Sequence, residues 1–117
     1  MGKLTTHVLD TSHGCPAAGM GVGLFRVDAG SVTLLKHVTL NADGRADAPL
    51  LADAELTRGR YRLVFSVAAY FRAKGVVLAD PPFLDEVPLE FGISDPAAHH
   101  HVPLLASPFA YSTYRGS

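Results

Sequence analysis

The sequence has 117 residues, 18% of them charged, and a formal net charge of -1. This size fits one domain over residues 1–117, and so weak a charge excludes a global field that recruits nucleic acid or an anionic membrane. No apolar run approaches the ~18 residues of a membrane span, no secretory signal begins the sequence, and Cys15 is the only cysteine, so we expect a cytoplasmic protein. Because 48% of so small a chain is hydrophobic, we also expect copies of the protein to cover one another's apolar faces.

Turn-forming clusters divide the chain into short β-prone segments, a spacing that is typical of a β-sandwich. We therefore predict a mainly all-β fold of about eight strands with one short α-helix. The predicted strands cover residues 4–10, 20–27, 32–39, 60–67, 87–93, 100–105 and 110–114, with a shorter strand over 46–48.

The predicted helix runs from Ala68 to Lys74. This segment is rich in alanine, carries basic residues in its last turn, and is followed by Gly75, a residue type that commonly ends helices. In the strand before it, strict alternation of apolar side chains predicts a core-facing surface. Its members are Tyr61, Leu63, Phe65 and Val67.

Three adjacent histidines open the strand over residues 100–105. Alternation along a strand places His99 and His101 on one face and His100 on the other. Such a pair can bind zinc, with His7 as a third ligand, but no carboxylate or thiol motif lies nearby. We therefore predict no metal, and zinc binding remains the alternative.

Two further residues carry groups suited to catalysis. His7 lies in the first strand and shares a face with Thr5 and Leu9, whereas Arg45 follows the tight turn over residues 41–44. Taken alone, a strand histidine is usually structural and an arginine after a turn is usually solvated.

The last four residues are Tyr114, Arg115, Gly116 and Ser117. They place a phenol, a guanidinium and a hydroxyl beside the terminal carboxylate, directly after a β-prone segment. We expect this tail to be tied into a sheet, because apolar and aromatic residues precede it where polar filler is usual.

Together these motifs resemble the 5-hydroxyisourate hydrolases, transthyretin-like enzymes of purine breakdown. The resemblance runs from one end of the chain to the other, through residues 4–11, 43–45, 101–105, 107–108 and 111–117. It implies a transthyretin-type β-sandwich, a homotetramer built as a dimer of dimers, and active sites in the channel between dimers. One residue departs from the family pattern, since His100 stands where tyrosine is usual.

The resemblance also implies the reaction and its residues. Ring opening of 5-hydroxyisourate gives 2-oxo-4-hydroxy-4-carboxy-5-ureidoimidazoline, with His7 or His101 as general base and Arg45 supporting the oxyanion. Ser117 completes the catalytic set, through its carboxylate, through its hydroxyl, or only as an anchor. The implied substrate-binding residues are His7, Arg45, His99, Tyr114, Arg115 and Gly116. No cofactor is expected for this acyl hydrolysis.

A second function remains open on the same fold. Transthyretin uses this architecture to carry thyroid hormones, so a hormone carrier without catalysis is the alternative, and fold alone cannot decide between the two. A purely structural sandwich is a third interpretation, but it leaves the placement of His7, Arg45 and His101 unexplained.

Overall fold

Two β-sheets face each other across an apolar core in the computed structural model, which describes residues 2–117. Sheet A has the strand order β2-β1-β8-β9, with β5 also paired to β1, and sheet B has the order β4-β3-β6-β7. The strands are β1 Lys3–Asp10, β2 Cys15–Pro16, β3 Gly21–Asp28, β4 Ser31–Thr39, β5 Leu51–Ala52, β6 Gly59–Ser66, β7 Glu86–Ile93, β8 His100–Ala106 and β9 Tyr111–Thr113.

The predicted sandwich and its seven longer strands are confirmed, with boundaries that differ by a few residues at most. One helix, α1, covers Val67–Ala73 and confirms the predicted helix, and a short 3₁₀ helix covers Asp53–Glu55. Within residues 2–117, no helix combines the length and the hydrophobicity needed to cross a membrane.

The predicted short strand over residues 46–48 is wrong. Pairing with β1 begins later, at β5, where Leu51 and Ala52 lie opposite Leu4 and Lys3. Residues 47 and 48 form a bend, and the Asn41 side chain donates to the Asp47 carboxylate at 3.0 Å. Pro49 follows this bend and has no N–H group to donate to a strand ladder.

The sequence interpretation also missed β2. Its two residues, Cys15 and Pro16, pair with Asp10 and Leu9 of β1. They lie inside a cluster of turn-forming residues, which masks so short a strand.

Alternating burial along β1 and β6 sets which side chains face outward. Tyr61, Leu63 and Phe65 are at most 1% exposed, which confirms the predicted core face of β6. Leu4 and Val8 of β1 are fully buried, and each such apolar side chain contributes ~1.5–3 kcal/mol relative to an exposed one. The intervening residues of β1 are therefore turned to the outer face of sheet A.

A buried carboxylate ties α1 to the end of β1. Asp10 has no exposed surface; it accepts hydrogen bonds from the backbone N–H groups of Ser12 and His13, each at 3.0 Å, and from the Tyr70 hydroxyl at 2.9 Å. Burial alone raises the pKa of the Asp10 carboxyl, but the hydrogen bonds from Ser12, His13 and Tyr70 outweigh it and lower that pKa below its usual value. The stabilisation from this carboxylate is therefore present at neutral pH and is lost as the pH falls through the lowered pKa.

Tyr70→Phe should lower the free energy of unfolding by about 1–3 kcal/mol, because the substitution removes a donor from a carboxylate that water cannot reach. Urea denaturation at neutral pH measures the effect. The matched control is Tyr111→Phe, since that tyrosine is 46% exposed. Equal denaturation midpoints for the two variants would contradict the role given to Tyr70.

Candidate functional site

The register between β1 and β8 brings two histidines onto one outer surface. The two strands are parallel, with Thr5 opposite His101 and His7 opposite Pro103. Thr5, His7 and His101 are half-buried, whereas the neighbours of Thr5 and His7 along β1 are buried. His7 and His101 therefore both lie on the outer face of sheet A.

A tight turn delivers Arg45 to the same surface. The Asn41 side-chain oxygen accepts from the N–H groups of Asp43, at 2.9 Å, and Arg45, at 3.2 Å. Gly44 has a φ of +72°, and a Cβ there would lie 2.6 Å from the carbonyl oxygen of Val8. Only glycine fits this close approach without strain. Arg45 then forms an isolated antiparallel bridge with His7.

The imidazole of His101 is held by Thr5. The distance from Thr5 Oγ1 to His101 Nδ1 is 2.8 Å, and the same oxygen lies 3.4 Å from His99 Nε2. The sequence interpretation did not identify Thr5 as a site residue. Its signal was the alternation that places Thr5 on the same face as His7.

The C-terminal tail packs against the other side of His101. Strand β9 pairs with β8, and the Gly116 N–H donates to the His101 carbonyl oxygen at 2.8 Å, which confirms the predicted attachment of the tail. A Cβ on Gly116 would lie 2.5 Å from His101 Cδ2, so the imidazole needs glycine at this position. Thr5 and Gly116 therefore fix the ring from two directions.

The other tail residues border the same surface. Arg115 Nη2 donates to the His99 carbonyl oxygen at 3.4 Å, and Tyr114 is 60% exposed. Ser117 is exposed, and within residues 2–117 no ion pair joins its carboxylate to Arg115. A depression of 140 Å³ lies beside the site and is lined by His7, Leu9, Pro103, Leu104, Leu105 and Tyr114.

The middle histidine of the three faces away from the site. His100 is only 5% exposed, and its Nδ1 lies 3.0 Å from the carbonyl oxygen of Ala98. This placement confirms the predicted alternation. A change of side chain at His100 would therefore alter packing on the core side of sheet A.

Both outward imidazoles are biased toward the neutral form. Burial, followed by the Arg45 guanidinium, lowers the pKa of His7 below 6.5, although Asp43 partly opposes this. Burial and Arg45 likewise lower the pKa of His101, with smaller contributions from His7 and His99. At neutral pH both rings can accept a proton, which is the property a general base needs.

The next feature is whether the side chains of this site could bind a metal ion. Over residues 2–117, no group of three histidine, cysteine or acidic side chains is arranged to hold a metal ion. What the outer face of sheet A does bring together is two imidazoles and one guanidinium. Such a set can deprotonate water and stabilise a developing negative charge.

Arg45→Gln should raise the pKa of both His7 and His101 toward the ordinary value of 6.5, because it removes a cation that disfavours the imidazolium form. NMR titration of the histidine ring signals measures these values. Arg45→Lys keeps the charge and serves as the control, with pKa values close to those of the unsubstituted protein. Unchanged values in Arg45→Gln would show that Arg45 does not act on the imidazoles.

Comparison with known proteins shows the family to which the chain belongs. Residues 4–116 match the model of the HIUase/Transthyretin family. A 5-hydroxyisourate hydrolase from Mesorhizobium japonicum is 57% identical over 99% of this chain and 93% of its own length. Among solved structures, an (S)-allantoin synthase superposes with a TM-score of 0.94 at 46% identity; 99% of this chain is covered, but it spans only 44% of that longer chain. Sea bream transthyretin in complex with thyroxine superposes with a TM-score of 0.86 at 25% identity, covering 97% of this chain and 94% of that one. The chain therefore belongs to the HIUase/Transthyretin family.

Proposed function

We propose that this chain, as a single domain, hydrolyses 5-hydroxyisourate by opening its six-membered ring. The 57% identity to a 5-hydroxyisourate hydrolase over nearly the whole chain supports the substrate. The observation that carries the chemistry is the convergence of His7, Arg45 and His101 on the outer face of sheet A.

The first chemical requirement is a base, because water is a poor nucleophile at neutral pH. A positioned base typically contributes ~10²–10⁴-fold to the rate. Between the two candidates we favour His101, since Thr5 and Gly116 hold its ring on two sides. His7, beside Arg45, then binds and orients the substrate.

The second requirement is a donor for the charge that develops on the attacked carbonyl oxygen. Arg45 supplies a permanently charged and forked donor, fixed by the turn that ends at its own N–H group. Removing such a donor commonly costs ~10²–10³-fold. Base, oxyanion support and positioning suffice for acyl hydrolysis of an electron-poor ring, so we propose a reaction that uses no metal or organic cofactor.

The tail supplies the remaining contacts in this proposal. Tyr114 borders the depression beside His7, and Gly116 lies against the His101 ring. Arg115 holds the backbone of His99. Ser117 is exposed and follows Gly116, and it acts through its carboxylate, through its hydroxyl, or only as an anchor of the tail.

We further propose a homotetramer, a dimer of dimers, in which a second copy faces this site. Ligand pockets usually measure ~300–1,000 Å³. The depression of 140 Å³ beside His7 is smaller than this range, so the opposing sheet A of another copy would supply the missing wall. A cytoplasmic location stays a prediction, favoured by the single cysteine.

The hormone carrier is the less favoured function. Sea bream transthyretin shares the fold, but at 25% identity, far below the identity to the hydrolase from Mesorhizobium japonicum. Two imidazoles of lowered pKa beside a guanidinium serve proton transfer and oxyanion binding, and carriage of a hormone requires neither.

The experiment that tests the proposed function generates 5-hydroxyisourate in situ and follows its ultraviolet decay with and without the protein. We expect faster decay with the protein, and a loss of ~10²–10⁴-fold in that acceleration for His101→Asn. No acceleration over spontaneous decay would reject the hydrolase. Thyroxine binding by the same inactive sample would then favour the carrier.

Gly116→Ala should reduce turnover by ~10-fold or more while the protein stays folded, because the added methyl group displaces the His101 ring and misplaces the base. Steady-state kinetics with circular dichroism measures both quantities. Gly92→Ala is the matched control, since a Cβ at Gly92 meets nothing within 4 Å. Equal rates in the two variants would show that the contact between the tail and His101 does not position the base.

A further inference from the structure

One hydroxyl group lies between the two outward histidines of the His-x-His pair. Thr5 Oγ1 is 2.8 Å from His101 Nδ1 and 3.4 Å from His99 Nε2. We propose that Thr5 is a positioning residue that keeps the proton of His101 on Nδ1. In this arrangement the Thr5 hydroxyl accepts a hydrogen bond from His101 and donates one to Nε2 of His99. Nε2 of His101 is then bare and free to take a proton from water. The proposal rests on the proposed hydrolysis for its catalytic consequence, whereas the tautomer itself can be measured without substrate.

The donor inventory of the three groups limits the possible arrangements. A hydroxyl has one proton to donate and two lone pairs that accept, and a neutral imidazole has one N–H group and one bare nitrogen. Thr5 cannot donate to His99 and His101 at once. If both hydrogen bonds form, at least one of the two histidines must therefore donate its N–H group to Thr5.

The surrounding charges favour His101 as the donor. Arg45 lies close enough to disfavour a positive charge on His101, and a guanidinium can only donate hydrogen bonds. An imidazole beside such a donor is better placed with a bare outward nitrogen than with an N–H group. Because Thr5 already occupies Nδ1, the bare nitrogen is Nε2.

The other groups around His101 are compatible with this arrangement. His7, from β1, is itself biased toward the neutral form. His99 precedes β8, and Arg115 of the tail donates to its carbonyl oxygen at 3.4 Å, which fixes the backbone that carries the accepting imidazole. The longer hydrogen bond, from Thr5 to His99, orients the Thr5 hydroxyl. The shorter one, between Thr5 and His101, fixes the imidazole of His101, the proposed base.

The catalytic consequence follows from proton balance. One O–H bond of the attacking water breaks and an N–H bond forms at Nε2 of His101, while the hydroxide oxygen bonds to the ring carbonyl carbon. The imidazole of His101 then carries a positive charge. Its Nδ1–H group donates to Thr5 Oγ1 in a charge-assisted hydrogen bond, which is stronger than a neutral one. The π electron pair of that carbonyl moves onto its oxygen, which Arg45 stabilises. As the carbonyl re-forms, the ring C–N bond breaks and the proton on Nε2 passes to the leaving nitrogen, so His101 ends in its starting state.

This arrangement assigns a different role to His99. The resemblance to the family implied that His99 contacts the substrate, whereas the contact with Thr5 makes it the acceptor that orients the hydroxyl. The hydrogen bond at one ring nitrogen determines which tautomer a histidine adopts. His99 therefore acts on the reaction through Thr5 and His101.

The first test is the ¹⁵N NMR spectrum of the histidine rings in the substrate-free protein at neutral pH, which distinguishes a protonated ring nitrogen from a bare one. We expect a proton on Nδ1 of His101, a mixture of both tautomers in Thr5→Val, and the original state in Thr5→Ser. His99→Ala, at a site near the surface, should also increase the Nε2–H form. A proton on Nε2 of His101 in the unsubstituted protein would overturn the proposal, whatever the activity of the protein proves to be.

The second test is kinetic. Removing a partner that orients a functional histidine costs ~10–100-fold in metal sites, and we expect a loss in kcat of this size for Thr5→Val, with kcat largely restored in Thr5→Ser. Thr11→Val is the matched control, because the one hydrogen bond of its hydroxyl within residues 2–117 goes to the Ala106 carbonyl oxygen, at 3.1 Å, at the far end of the β1–β8 pair. A Thr5→Val protein with the kcat of the control would overturn the role of Thr5 in positioning the base.

Discussion

The parallel pairing of β1 with β8 is the constraint on which the proposed site depends. It sets Thr5 opposite His101 and His7 two residues further along the same outer face. A slip of either strand by one residue would turn its own histidine into the core, His7 on β1 or His101 on β8, since side chains alternate along a strand. Leu4 and Leu104, both fully buried, oppose such a slip because it would expose them. Packing of the core therefore holds the register that the chemistry needs.

Two glycines let other segments reach this strand pair. Gly44 permits a turn that brings Arg45 beside His7, and Gly116 permits the tail to lie against the ring of His101. In both places an added methyl group would meet neighbouring atoms at 2.5 to 2.6 Å. The backbone positions of Arg45 and of the tail are thus set by these close approaches.

The sequence was sufficient to predict the sandwich, the helix and the shared face of His99 and His101, because periodicity records which residues are buried. It failed over residues 46–48, where the chain bends before Pro49 and pairing with β1 begins only at Leu51. It also missed Thr5, whose partner His101 is 96 residues away. Contacts across such separations depend on strand register, and local patterns do not contain that information.

The most direct measurement is a crystal structure with a stable, non-hydrolysable analogue of 5-hydroxyisourate. We expect the analogue on the outer face of sheet A, with a carbonyl oxygen on Arg45 and a ring edge toward His101. An analogue bound in the 380 Å³ cavity between β7 and the β8–β9 pair, with the outer face of sheet A empty, would contradict the assignment of the site.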